Sequence, residues 1–199
     1  MPGTPVARHP GQPVGEICGV LPAAGRARRF GGPKLRVCYR GRPLVAWSMA
    51  ALEPCDRVLA VVRPNDAALA RVLRALGAQV VACDSRGMGA SIAAAVRASR
   101  GAAGWCILPA DMPWVPAVVT SRIVAALRAG APVAAPFHKG VRGHPVGFSA
   151  RCGAELVSLD GETGGRAILR RHAGEMVRIP IHVPGVLRDV DRPGDLRAV

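Results

Sequence analysis

The residues in this chain best suited to chemistry are cations on a glycine-rich loop and aspartates at the ends of apolar runs. Between Gly19 and Lys34 the sequence GVLPAAGRARRFGGPK leaves an apolar run and gathers Arg26, Arg28, Arg29 and Lys34 on one loop. Gly25, Gly31 and Gly32 let the backbone approach a ligand closely and point N–H groups at it. Arg29 and Lys34 then neutralise a polyanion such as a triphosphate. At an effective dielectric of about 20, one charge contact near 4 Å is worth about 4 kcal/mol before desolvation is subtracted. Two familiar phosphate loops are excluded. A P-loop needs Gly before its Lys and Ser or Thr after it, and here Pro33 and Leu35 flank Lys34. The dinucleotide fingerprint fails at GMGASI, where Ile92 takes the place of the last glycine.

The carboxylates come next. Asp111 lies in LPADMP at the end of an apolar run, between Pro109 and Pro113; a carboxylate so placed is costly unless paired. Magnesium favours one or two carboxylates together with phosphate oxygens. In DVDRP, Asp189 and Asp191 fall on one face of an extended segment, where like charges repel unless a cation is near. Ser91 follows a glycine pair at a predicted helix start, where backbone donors and a hydroxyl reach a phosphate or a base edge. The segment HKGVRGHPVGF offers His138, Lys139, Arg142 and His144 beside Gly143 and Pro145, and GETGGRAIL offers Arg166.

These residues need a frame. Apolar runs of strand length at 16–21, 57–62, 79–82, 105–108 and 132–135 alternate with helical patterns at 43–52, 65–76, 88–99 and 116–129. The last third is less regular: helices near Ala154 and over 165–172, a strand over 177–181, then a short strand, a turn and a helix start. Such alternation predicts an α/β fold with a mostly parallel sheet and helices on both faces. Ligands of such sheets bind at the carboxyl ends of strands, which is where the basic loop and Asp111 fall.

Bulk properties narrow the reading. A chain of 199 residues builds one core, so residues 16–199 are expected to form a single domain after a disordered tail over 1–15. That tail has no apolar stretch resembling a secretion signal, and no run reaches the roughly 20 apolar residues of a membrane span. The formal charge of +14 admits a nucleic-acid-binding protein, but one Tyr and three Phe offer little surface for base stacking. Six cysteines without a C-x-x-C pair, several in predicted strands, argue against zinc and disulfide scaffolds and for free thiols in a reducing cytoplasm.

The loop LPAAGRARRFGGPK resembles the signature loop of the MobA-like nucleotidyltransferases, approximately L-A-A-G-x-S-x-R-M-G-x-x-K. GMGASI, LPADMP, GHPVGF, GETGGRAIL and DVDRPGDL follow in the order that family shows, over residues 16–199. The resemblance is greatest to molybdenum cofactor cytidylyltransferases. It implies a Rossmann-like three-layer αβα nucleotidyltransferase fold and transfer of CMP from CTP to the phosphate of molybdenum-loaded molybdopterin, with release of pyrophosphate. It also implies Ala23, Ala24, Gly25, Arg29, Lys34, Ser91 and Asp111 at the nucleotide, and Arg29, Lys34 and Asp111 in catalysis. Mg²⁺ would lie on Asp111 and Asp191, with Gly143, His144, Pro145 and Arg166 at the acceptor. Guanylyl members read A-G-G where this chain has Ala23-Ala24-Gly25, and a methyl at position 24 takes space a purine would need. Ala27 and Glu162 stand where the family carries serine and aspartate. Alternatives within the fold are GTP-dependent transfer and a sugar-phosphate acceptor; a molybdoenzyme apo-protein is a transient partner on this reading.

Overall fold

Strand β1 (Ile17–Pro22) is buried at five successive positions, as a strand covered on both faces must be. Its side chains alternate between two cores. Ile17 and Leu21 join one, Cys18 and Val20 the other. The computed structural model describes residues 15–197 except Arg26, Arg28, Ser85, Arg86 and Thr163, so the tail expected over 1–15 lies outside the described residues apart from Gly15.

A small hairpin of β2 (Cys38–Tyr39) and β3 (Arg42–Pro43) leads into α1 (Leu44–Ala51). Then follow β4 (Arg57–Val62), α2 (Ala67–Ala75), β5 (Gln79–Ala82), α3 (Met88–Ala98), β6 (Gly104–Ile107) and α4 (Ala117–Arg128). Asp66 caps α2 by accepting from the Leu69 amide at 3.1 Å. The rest comprises β7 (Val133–His138), β8 (Val141–Arg142), β9 (Val146–Ser149), α5 (Gly153–Val157), α6 (Arg166–Arg171) and β10 (Met176–Pro180). Two 3-10 turns, 184–187 and 193–196, close the described chain.

The main sheet runs β10–β7–β9–β6–β1–β4–β5, with β8 at the side of β7. β1 pairs in parallel with both β4 and β6, and β4 with β5; β9 is antiparallel to β6 and β7. Helices α1, α2 and α4 pack on one face through Val45, Leu69 and Ile123. Helices α3, α5 and α6 pack on the other through Ile92, Leu156 and Ile168. This is a Rossmann-like three-layer arrangement. Strand order reverses at β1, so the carboxyl ends of β1, β4 and β6 border the crevice where such sheets bind ligands.

Two expectations are corrected. The last third is more regular than its sequence suggests: the VGFS half of GHPVGFS is β9, well inside the sheet. The β2–β3 hairpin is a further element between loop and first helix. The closing segment forms 3-10 turns in place of a strand and a helix start.

Candidate active site

The loop after β1 folds back through Ala27, whose carbonyl accepts from the amides of Phe30 at 3.0 Å and Gly31 at 3.3 Å. Gly31 takes a φ of 76°, a conformation glycine adopts without steric cost. The return places Lys34 at the head of a 3-10 turn, 8% exposed. Its Nζ donates to Asp111 Oδ2 at 2.7 Å and to the Val190 carbonyl at 2.5 Å. The Val190 amide in turn donates to the Asp111 carbonyl at 2.9 Å. One ammonium therefore ties together three parts of the chain that are remote in sequence.

On either side of Val190 lie the aspartates of DVD. Asp191 Oδ2 accepts from Arg29 Nη1 at 2.8 Å. Asp195 Oδ2 accepts from the Asp191 and Arg192 amides at 2.8 and 2.7 Å, which holds the Asp195 carboxyl below its ordinary range and fixes the turn. Partial desolvation, then the Asp111 carboxylate, raise the Asp189 carboxyl above its ordinary value. Arg29 is thus paired with Asp191 and Lys34 with Asp111. The ammonium of Lys34 is directed at the acidic cluster and does not project from the loop.

These carboxylates fit a hard divalent cation by donor type. Asp111 and Asp191 are each balanced by a side-chain cation, and Asp189 adds a third carboxylate on the same segment as Asp191. Asp111, Asp189 and Asp191 do not all come within 4.8 Å of one another among the described residues, so the set is open.

Of the expected acceptor residues, His144 lies near enough to Asp111 to feel its charge. The Gly143 amide donates to the Pro136 carbonyl and the His144 amide to the Val186 carbonyl, each at 2.8 Å. Gly143 is required by packing: a Cβ there would lie 2.5 Å from the Val186 carbonyl oxygen. Desolvation and then the Arg142 guanidinium push the His144 imidazole down to about 4, so the ring is neutral near pH 7. Its Nδ1 is buried without a hydrogen-bond partner. Desolvation and the like charge of exposed Arg166 also lower Arg142. Pro145 is buried beside them.

Ser91 is placed differently. It is 2% exposed, and its Oγ donates to the Gly87 carbonyl at 3.2 Å, within its own helix. The Gly89 amide at that helix start donates to the Gly161 carbonyl at 2.9 Å, so the loop before Arg166 packs against the helix end. The Ala23 amide extends the β1 pairing to the Val61 carbonyl at 2.8 Å. Ala23 and Gly25 border a cleft of about 100 Å³ that also holds Lys34, Asp111 and Arg63; Ala24, 7% exposed, is not among its walls. A more open cleft beside it adds Asn65 to Arg63 and Asp66. Sequence reasoning missed Arg63 and Asn65. The available signal was their position directly after β4, the neighbour of β1. Arg26, Arg28 and Thr163, members of the expected motifs, lie outside the described residues.

The sequence matches the MobA-like NTP transferase domain over residues 19–176. The chain belongs to that family. A curated relative, purine catabolism protein PucB of Bacillus subtilis (strain 168), is 29% identical over 191 residues, covering 89% of this chain and 92% of that protein. Among solved structures, Rv0371c of Mycobacterium tuberculosis H37Rv in complex with manganese superposes with a TM-score of 0.76 at 23% identity, covering 92% of this chain and all (100%) of the other. Molybdopterin-guanine dinucleotide biosynthesis protein A of Archaeoglobus fulgidus gives 0.64 at 20% identity, covering 91% and 95%. At these identities the two structures establish the fold. No helix among the described residues is long and apolar enough to cross a membrane.

Proposed function

We propose that this nucleotidyltransferase moves CMP from CTP to the phosphate of molybdenum-loaded molybdopterin, forming the cytosine dinucleotide and releasing pyrophosphate. The observation that carries the transfer chemistry is the Lys34 ammonium held between Asp111 and the Val190 carbonyl beneath a glycine-rich loop at the sheet's carboxyl ends. The molybdopterin acceptor and the CTP preference rest on the order of the sequence motifs and on Ala23-Ala24-Gly25. Likeness to a molybdopterin-guanine dinucleotide biosynthesis protein supports the acceptor class.

In this mechanism an acceptor phosphate oxygen attacks the α-phosphorus of the nucleotide. A new P–O bond forms, the bond to the β-phosphate breaks, and the electron pair leaves on pyrophosphate. Rate comes from positioning and charge neutralisation, with no covalent enzyme intermediate. Arg29 and the loop amides stabilise the leaving pyrophosphate. Lys34 locks Asp111 to the DVD segment and adds positive charge below the phosphates. Arg142 and Arg166 receive the acceptor's phosphate, and the His144 ring, neutral near pH 7, adds no charge beside them. Mg²⁺ held by Asp111 and Asp191 would supply Lewis-acid neutralisation of the phosphate oxygens. The free thiols suit a reducing cytoplasm, where a molybdoenzyme apo-protein would receive the product.

The test incubates the protein with Mg²⁺, each NTP in turn and molybdenum-loaded molybdopterin, and follows pyrophosphate. Release with CTP is expected. No release with any nucleotide overturns the chemistry. Release with GTP alone keeps the reaction class and overturns the choice of base.

A further inference from the structure

Away from the cleft, at the amino ends of β6 and β7, the fold brings together a thiol, a carboxylate and an imidazole. Cys152 ends a 3-10 turn that runs into α5, Glu155 follows three residues later, and His172 caps α6. One ligand atom from each lies within 4.8 Å of the other two. Glu155 Oε1 is 3.0 Å from His172 Nε2. The Cys152 thiol is fully buried and donates to the Pro132 carbonyl at 3.6 Å.

The surroundings of this trio resemble the support that orients metal ligands. The outer ring nitrogen, His172 Nδ1, faces Glu175 Oε1 at 3.8 Å. The outer oxygen of Glu155 is held by Arg171. The donor on the far carboxylate oxygen holds the Glu155 carboxyl group, and the Glu175 carboxylate lies near the far imidazole nitrogen, the kind of surroundings that orient metal ligands.

We propose that Cys152, Glu155 and His172 form a zinc(II) site distinct from the nucleotide cleft. A thiolate, an imidazole and a carboxylate make a borderline-soft donor set, suited to zinc and poorly suited to magnesium. Binding replaces the S–H bond with a Zn–S bond and releases one proton to solvent. The two anionic ligands then balance the dication. With three protein ligands the fourth position goes to water, and the 24% and 14% side-chain exposure of Glu155 and His172 leaves an entry path. The ion would staple the start of α5 to the end of α6. Between those points runs the loop that places Gly161 against α3 and leads to Arg166. The absence of a C-x-x-C pair does not bear on this site, because it uses a single cysteine.

The test titrates the full-length chain with Co²⁺ as a spectroscopic stand-in for zinc. A thiolate on Co²⁺ gives an intense near-ultraviolet charge-transfer band, and no cysteine lines the cleft to produce one there. The expected result is a band that saturates at one equivalent and is unchanged in Cys38→Ser, which alters the exposed cysteine. In Cys152→Ser the band should vanish, and in His172→Gln the affinity should fall at least tenfold. Should Cys152→Ser not fold, His172→Gln decides alone. No band in the wild-type protein, or a band indifferent to these two substitutions, overturns the proposal.

Discussion

Asp191 and Asp111 are held by cations of very different exposure. The Arg29–Asp191 pair is open to solvent, with side chains 73% and 48% exposed, so it adds only about 0–1 kcal/mol to stability. If Asp191 serves the transfer step, its value lies in catalysis. Asp191→Asn is therefore expected to shift unfolding free energy by less than about 1 kcal/mol while lowering kcat/KM about 10²-fold or more. Denaturant unfolding and steady-state pyrophosphate release on the same preparation check both halves. Lys34 is the opposite case, 9% exposed at its side chain and bonded to two partners, so its removal strands Asp111 and disturbs fold and function together. The motif reading singled out both cations, because loop lysines and arginines after a strand are visible in sequence. It could not show that Lys34 turns inward, since that depends on Val190, far along the chain.

Two elements set the geometry that these residues share. The 3-10 turn over 184–187 carries the DVD segment to Asp111, and it packs so closely that a Cβ on Gly185 would lie 2.2 Å from the Trp114 carbonyl oxygen. Gly185→Ala is expected to cost about 2 kcal/mol through overpacking and to reduce activity by moving Val190 off Lys34; thermal unfolding and a kcat measurement test it. At the other end of β1, Asp56 accepts from the Ile17 amide at 2.7 Å and from Arg128 at 2.9 Å. The Ile17 amide, with Arg128 after it, holds this carboxyl below its ordinary 3.8. The native state therefore binds its proton less readily than the unfolded chain. The stabilisation is complete above 3.8 and disappears as pH falls through the lower folded value. Asp56→Asn should lose about 1 kcal/mol at pH 7, and the gap to wild type should close in strongly acidic solution, as urea unfolding across pH would show.

Most of this element order was legible because parallel strands buried on both faces appear in sequence as short apolar runs between helical patterns. The direction of β9 was not, since an apolar strand has the same composition whichever way it runs. The β2–β3 hairpin contributes two residues per strand, too few for any periodicity.

At the scale of the molecule, the formal charge of +14 has two readings, a nucleic-acid surface or a field that draws in anionic substrates. Aromatic residues separate them. Tyr39, Trp47 and Trp114 pack edge-to-face around Tyr39, and arginines cover Tyr39, Trp47 and Trp114, which leaves little open ring face for bases. Added salt should therefore raise KM for the nucleotide through screening while kcat changes little; a fall in kcat with constant KM would contradict substrate steering. The cleft was legible only in part. Its loop and Asp111 announce themselves after strands, whereas Arg63 follows β4, a strand whose adjacency to β1 the linear sequence does not state.

In the proposed reaction the chemistry turns on the carboxylate that Lys34 clasps. Its measurement is single-turnover pyrophosphate release by Asp111→Asn with CTP and molybdenum-loaded molybdopterin, on protein whose fold is verified by circular dichroism. A loss of about 10³-fold is predicted. A variant that folds and keeps its rate within about tenfold of wild type, a difference of only about 1.4 kcal/mol, would contradict the account.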